Sequence, residues 1–293
     1  MEPLVISLVL LSAVMHALRN FFNKKALDKQ AFIWWYEVFG LLFFAPVFFF
    51  TLARQDVNVS ISWTYIFLSG IVHFFYWYFL SSALKKGDLS FVYPIMRSSP
   101  ALVLFFSMTI LKEDISVLGF MGILLVVLGV YAIDIQKFAF SELLKPFRSL
   151  KQDWAVRFAF LTLLSSAAYS LVDKLAVSVM NPVIFAFIYP WVSLGLLTIY
   201  LFRVKDRGVL AKEWRVHKGS ILLCGVLSIF GYFLILVAFT LERVSYIVGL
   251  RQVSIVFAVL LGGHFLKEGN RFSRTLFSIV IFMGCYFIAI AGG

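Results

Sequence analysis

The sequence predicts an all-α membrane protein whose ten transmembrane helices form two inverted five-helix repeats, and three observations predict it. Of the 293 residues 62% are hydrophobic and only 14% charged, whereas about a quarter of a soluble globule is charged. Apolar segments of about 20 residues, the length that crosses a bilayer, recur at 3–22, 31–52, 63–84, 89–111, 115–135, 155–177, 182–202, 218–240, 244–266 and 272–291. The tripeptide Leu111-Lys112-Glu113 returns as Leu266-Lys267-Glu268, an offset of 155 residues (Glu113 to Glu268). The same offset superposes Ala83 on Ala238, Ser90 on Ser245, Ser99 on Ser254, Gly129 on Gly284 and Tyr131 on Tyr286 without a gap. A unit of five crossings, an odd number, sets its second copy upside-down.

The net charge of +11 follows the connections. If these alternate between the two sides, one side holds Arg54, Lys112 and Arg243, and the other nineteen basic residues, from Lys24, Lys25 and Lys29 to Lys267, Arg271 and Arg274. By the positive-inside rule both termini then face outward, across the cytoplasmic (inner) membrane. The basic excess reads as a topology signal and an attraction to anionic lipid headgroups, not as a nucleic-acid surface.

Taken in order, the first span enters from outside with Glu2 as its only early charge. His16, Arg19, Asn20 and Asn23 interrupt its second half with no small-residue cleavage site, so it is read as an uncleaved helix, not a signal peptide. These four share one helical face. An offset of 150 turns them into Ser166, Tyr169, Ser170 and Asp173 on the sixth span. The second span carries Glu37 and the runs Phe43-Phe44 and Phe48-Phe49-Phe50, expected to face lipid. The third brings His73, Tyr76 and Trp77, equivalent to Ser228, Gly231 and Tyr232 on the eighth. In the fourth, Tyr93 lies one turn before Arg97 and Pro94 and Pro100 bracket it, so that backbone carbonyls can open to a cavity. Arg251 of the ninth span is one step from the position matching Arg97. An inverted repeat sets the two arginines on opposite sides of the midplane. Residues 136–154 read as a linker at the cytoplasmic interface, and 203–218 as a basic loop without a motif. Cys224 and Cys285 fall within apolar spans, so no disulfide framework is indicated.

An ionisable group at bilayer depth costs at least about 2.5–3.5 kcal/mol and needs a partner or an aqueous cavity. Apart from the connection and span-end residues already assigned to the two sides, four basic residues lie inside spans: Arg19, Arg97, Lys174 and Arg251. Guanidinium forks match carboxylate and phosphate. Arg97 and Arg251 are therefore the leading substrate-binding candidates, joined by Tyr93, His16, Arg19, Asn20, Tyr76, Tyr169, Asp173 and Tyr232. The opposing reading locks each arginine to backbone carbonyls or an internal acid. Glu37, Asp173 and His73 are the proton-coupling candidates, the two acids also serving as counter-ions. Glu113 and Glu268, beside lysines at helix ends, are read as structural. No Walker loop, metal-ligand spacing or nucleophile elbow occurs, so no metal, cofactor or enzymatic activity is expected.

Ten spans in two copies, the repeated helix-end Glu113 and Glu268, the following Gly129 or Gly284, and the Asp173-Lys174 pair with its weaker counterpart Asn23-Lys24 resemble the EamA-type transporters of the drug/metabolite transporter (DMT) superfamily. The resemblance covers nearly the whole chain, with repeats at 5–135 and 155–290. It implies a central cavity lined by spans 1, 3, 4, 6, 8 and 9, alternating access and no ATP hydrolysis. Such proteins move amino acids, nucleotide sugars, phosphorylated metabolites or drugs. Arg97 and Arg251 depart from the family's apolar pattern and favour a small anionic or zwitterionic metabolite. Multidrug or cation efflux, favoured if Glu37 dominates the cavity, and lipid-linked sugar flipping or lipid-handling enzymology are the alternatives. The expected partners are a small-molecule substrate and membrane lipids, with a homodimer open and nucleic acid excluded.

Overall fold

Hydropathy alone dictates helices here, because backbone amides in lipid must be satisfied within their own segment. A computed structural model describes residues 1–54, 61–86, 89–133, 149–257, 259 and 271–292. Among them are α1 (Pro3–Lys24), α2 (Lys29–Ala53), α3 (Trp63–Lys86), α4 (Leu89–Arg97), α5 (Ser99–Phe106), a π-helical turn (Ser107–Leu111) and α6 (Val117–Ala132). They continue with α7 (Trp154–Val179), α8 (Pro182–Val204), α9 (Arg207–Leu241), α10 (Val244–Leu250) and α11 (Arg271–Ala291), with no strand among the described residues. Eight helical stretches are long and apolar enough to cross a membrane, and Val117–Ala132 and Val244–Phe257 are shorter apolar helices. The chain is thus an all-helical, multi-pass membrane protein. Most of the expected linker and all of Leu266-Lys267-Glu268 lie outside the described residues, as does Asp134.

Two sequence expectations are corrected, for the 203–218 loop and for Phe44, and two spans are interrupted, the fourth beside the prolines expected to kink it. The fourth span is not one α-helix: it breaks at Ser98, whose amide donates to Ile95 at 3.2 Å, followed by Ala101 to Ser98 at 3.1 Å. Pro100, in the first turn of α5, has no amide to continue the ladder. The ninth span breaks within a residue of the equivalent position, where the amides of Gln252, Ser254 and Ile255 each reach back only three residues, to Gly249, Arg251 and Gln252. The 203–218 loop is largely helix: α9 begins at Arg207 and bends at His217 (φ −120°, ψ 18°). Asp206 Oδ1 accepts the Gly208 amide at its start. Phe44, expected on lipid, is fully buried against Phe230 and Phe233, while Phe49 and Phe50 are exposed.

The helices form two compact units, each drawing on both copies of the repeat. One comprises Met1–Leu10, Phe75–Leu171 and Glu242–Gly293. Its main packing is α6 along α11. A Cβ on Gly284 would lie 2.7 Å from the Gly122 carbonyl, and one on Gly122 2.8 Å from the Gly284 carbonyl. A Cβ on Gly129 would meet Ile281 and the Phe277 carbonyl. Position numbers thus rise on α6 as they fall on α11, so these equivalent helices of the two copies run antiparallel. The other unit comprises Leu11–Phe74 and Val172–Leu241. There α2 packs along α9 at a Gly40–Gly225 close approach.

Candidate functional site

Asp173, on α7, is completely buried. Its Oδ1 accepts from the Ser69 hydroxyl of α3 at 2.6 Å, and its Oδ2 accepts from the Tyr232 hydroxyl of α9. His73, one turn from Ser69, brings Nε2 to 3.7 Å from Oδ2. Tyr189 of α8 closes the group, its ring centroid 4.7 Å from that of His73. A buried carboxylate needs donors on its lone pairs; α3 supplies a hydroxyl and an imidazole and α9 a second hydroxyl. Adjacent Lys174 donates instead to the carbonyl of Phe239 near the end of α9, where the helix dipole favours a cation.

A second cluster in the same unit links the other α1 and α2 candidates. Arg19, buried, places Nη2 2.9 Å from His16 Nδ1 and donates through Nη1 to the Ser228 hydroxyl at 3.0 Å. Ser228 donates in turn to Glu37 Oε1 at 3.1 Å. The Arg19 guanidinium also lies 5.9 Å from the Tyr36 ring centroid. Glu37 and Arg19 thus share one hydroxyl and neutralise each other's field. Asn20 is half-buried on the same helix, and Asn23 Oδ1 is buried without a hydrogen-bond partner among the described residues. Ser228 and Tyr232 are four residues apart on α9, so one helix serves both clusters.

The other unit holds Arg97 as the last residue of α4. Its guanidinium lies 5.1 Å from the Tyr93 ring centroid, hydrogen-bonds the Tyr93 hydroxyl, and has Tyr76 and Tyr169 within electrostatic reach. Tyr76 and Tyr169 pack edge-to-face at 5.3 Å, and the Ser166 hydroxyl donates to Tyr169 at 3.4 Å. Arg251 caps the C-terminus of α10, so both arginines stand at helix breaks, where terminal carbonyls attract cations. Glu113 accepts the Val244 amide at 2.7 Å, the Ser245 amide at 3.4 Å and the Ser245 hydroxyl at 2.7 Å. Glu268 lies outside the described residues.

The two-copy organisation decides what these clusters belong to. The model of the EamA-like transporter family matches the sequence twice, over residues 3–134 and 153–290. This chain belongs to the EamA-like transporter family. No curated protein matches the transporter's sequence. A solved crystal structure, described only as that of a protein, is similar with TM-score 0.71 over 98% of this chain and 97% of that one, at 15% identity. That likeness shows the fold alone.

Sequence reasoning put no weight on Ser69 or Tyr189. Ser69 was within reach, being one turn before His73 on the same face. Tyr189 carries no periodic signal that separates it from packing aromatics, and only the fold brings it to His73. Among the described residues no group of three or more His, Cys, Asp or Glu could hold a metal ion.

Proposed function

We propose that this EamA-like transporter carries a small anionic or zwitterionic metabolite across the cytoplasmic membrane by alternating access through a central cavity. Its ten crossings would form two inverted repeats with both termini outside. The observation carrying the reading is Arg97, held at a helix break against the ring and hydroxyl of Tyr93, with Tyr76 and Tyr169 within electrostatic reach. A guanidinium with neutral phenols beside it offers an anion a fork and additional O–H donors. Arg251, at the corresponding break of the other copy, is its proposed counterpart. Cation efflux would require Glu37 to present its charge to substrate; its link to Arg19 through Ser228 speaks against that. His73 and Asp173 form the proposed coupling site, where a proton on either alters the hydrogen-bonding of three helices, α3, α7 and α9.

The test is exchange of small anions, zwitterions and organic cations in proteoliposomes. R97A should abolish anion exchange while the unfolding midpoint is kept, and R97K, which retains the charge without the fork, should raise KM more than it lowers kcat. Undiminished anion transport by both R97A and R251A would refute the assignment.

A further inference from the structure

The first ten residues of α9 differ in character from the rest of the helix. Beyond the bend at His217 the helix is strongly apolar; before it the segment is amphipathic. Leu210 and Glu213 are buried on one side, Glu213 to 1% exposure, whereas Lys212, Arg215 and Lys218 are exposed on the other. This segment is clamped to α2 and its N-cap Asp28. Glu213 accepts the Asp28 amide at 2.8 Å and binds His217 Nδ1 at 2.7 Å. Lys205 pairs with the Asp28 carboxylate at 2.5 Å. The Trp35 indole donates to the Leu210 carbonyl at 2.9 Å, and Trp214 stacks on Phe39 at 5.0 Å.

The acids on this platform are engaged with its own groups: Asp28 with Lys205, Glu213 with the Asp28 amide and His217, and Asp206 with the Gly208 amide. Lys212, Arg215, Lys218 and the exposed Arg203 make no ion pair among the described residues. Exposed Phe202, Val204 and Val216 flank them. Aromatic rings of Trp35 and Trp214 mark the depth where headgroups meet acyl chains. Cations above, apolar side chains beside and amphipathic rings beneath match the chemistry of an anionic phospholipid.

We propose that Lys212, Arg215 and Lys218, on the interfacial start of α9, form a binding site for the headgroups of anionic phospholipids. The clamp to Asp28 ties that site to the start of α2, so lipid occupancy stiffens the α1–α2 connection together with α9. This site is independent of the substrate reading.

The test is a thermal unfolding titration of the purified protein in neutral detergent with short-chain phosphatidylglycerol, short-chain phosphatidylcholine or inorganic phosphate. Phosphatidylglycerol should raise the unfolding midpoint in a saturable, salt-sensitive manner, and the other two should not. Each basic side chain near an anionic surface contributes roughly fivefold in affinity, so K212Q/R215Q/K218Q should weaken phosphatidylglycerol binding on the order of 100-fold. The variant K112Q/R243Q, whose changes lie on other connections, should bind as the parent does. Equal shifts with phosphatidylcholine or phosphate, or an undiminished shift in the triple variant, would overturn the proposal. The triple variant's midpoint without lipid should equal the parent's, because none of its three side chains packs inward.

Discussion

Replacing Asp173 by alanine or by asparagine separates packing from charge at a fully buried acid of the α3–α7–α8–α9 cluster. The carboxylate is held by the Ser69 hydroxyl at 2.6 Å, the Tyr232 hydroxyl and His73 at 3.7 Å. Hydrogen bonds to a charged group contribute about 1.5–3 kcal/mol each, against a desolvation cost of several kcal/mol for the ion. Those terms nearly cancel while the group is intact. Alanine removes the acceptor and leaves two hydroxyls and an imidazole facing a void, a loss of about 3–5 kcal/mol. Asparagine keeps the volume, and each hydroxyl can turn to donate or accept, so its cost is about 1 kcal/mol. Unfolding midpoints in detergent should rank parent and D173N close together and D173A well below. In proteoliposomes D173N should retain substrate exchange but lose accumulation driven by a proton gradient, if Asp173 couples transport to protons. A D173A protein as stable as the parent would refute the buried-network argument. A D173N protein that still accumulates substrate would refute the coupling role.

Two further predictions concern packing and pH. G284A places a methyl within 2.7 Å of the Gly122 carbonyl and 2.8 Å of the Val126 amide nitrogen. Backbone cannot yield as a side chain does, so it should cost about 1–3 kcal/mol; G195A, with open space around its Cβ, should be neutral or slightly stabilising by thermal unfolding. At the α2 start, burial alone would raise the Asp28 carboxyl, but the hydrogen bond and charge of Lys205 and the amides of Ala31 and Gln30 outweigh it and hold Asp28 below its ordinary value. A lowered folded pKa gives stability that is complete above about pH 4 and lost as pH falls through the folded value. Midpoints of the parent and D28N should therefore differ at neutral pH and converge in acid; a constant separation down to pH 3 would contradict the assignment.

Much of the helical framework was legible because a span must be apolar along its whole length, which leaves a signal no tertiary contact is needed to read. The breaks in the fourth and ninth spans were only half legible. Pro100 announces the first, while Gln252 stands at the second with nothing in its sequence to mark it. The start of α9 was missed because Lys212, Arg215 and Lys218 hid an amphipathic helix inside what looked like a charged loop; Leu210 and Glu213, three residues apart, were the available clue. At the candidate sites, periodicity placed His16 and Arg19 on one face, yet their meeting with Ser228 and Glu37 depends on how α2 packs along α9. Such pairings lie far apart in sequence, and spacing within one helix cannot encode them.

The contact of Glu113 with α10 has a consequence for how the two copies depend on each other. Arg243 at the N-cap of α10 supplies no side-chain acceptor, and the first helical run, Val244–Leu250, ends at the break beside Arg251. Its first amides are satisfied by a carboxylate made 131 residues earlier in the chain. The end of the first copy, with the left-handed turn at Lys112 (φ 54°) that precedes Glu113, thus supplies the cap that the second copy's own sequence lacks. A change at Glu113 is therefore felt at the start of the ninth span, in a repeat to which the residue does not belong.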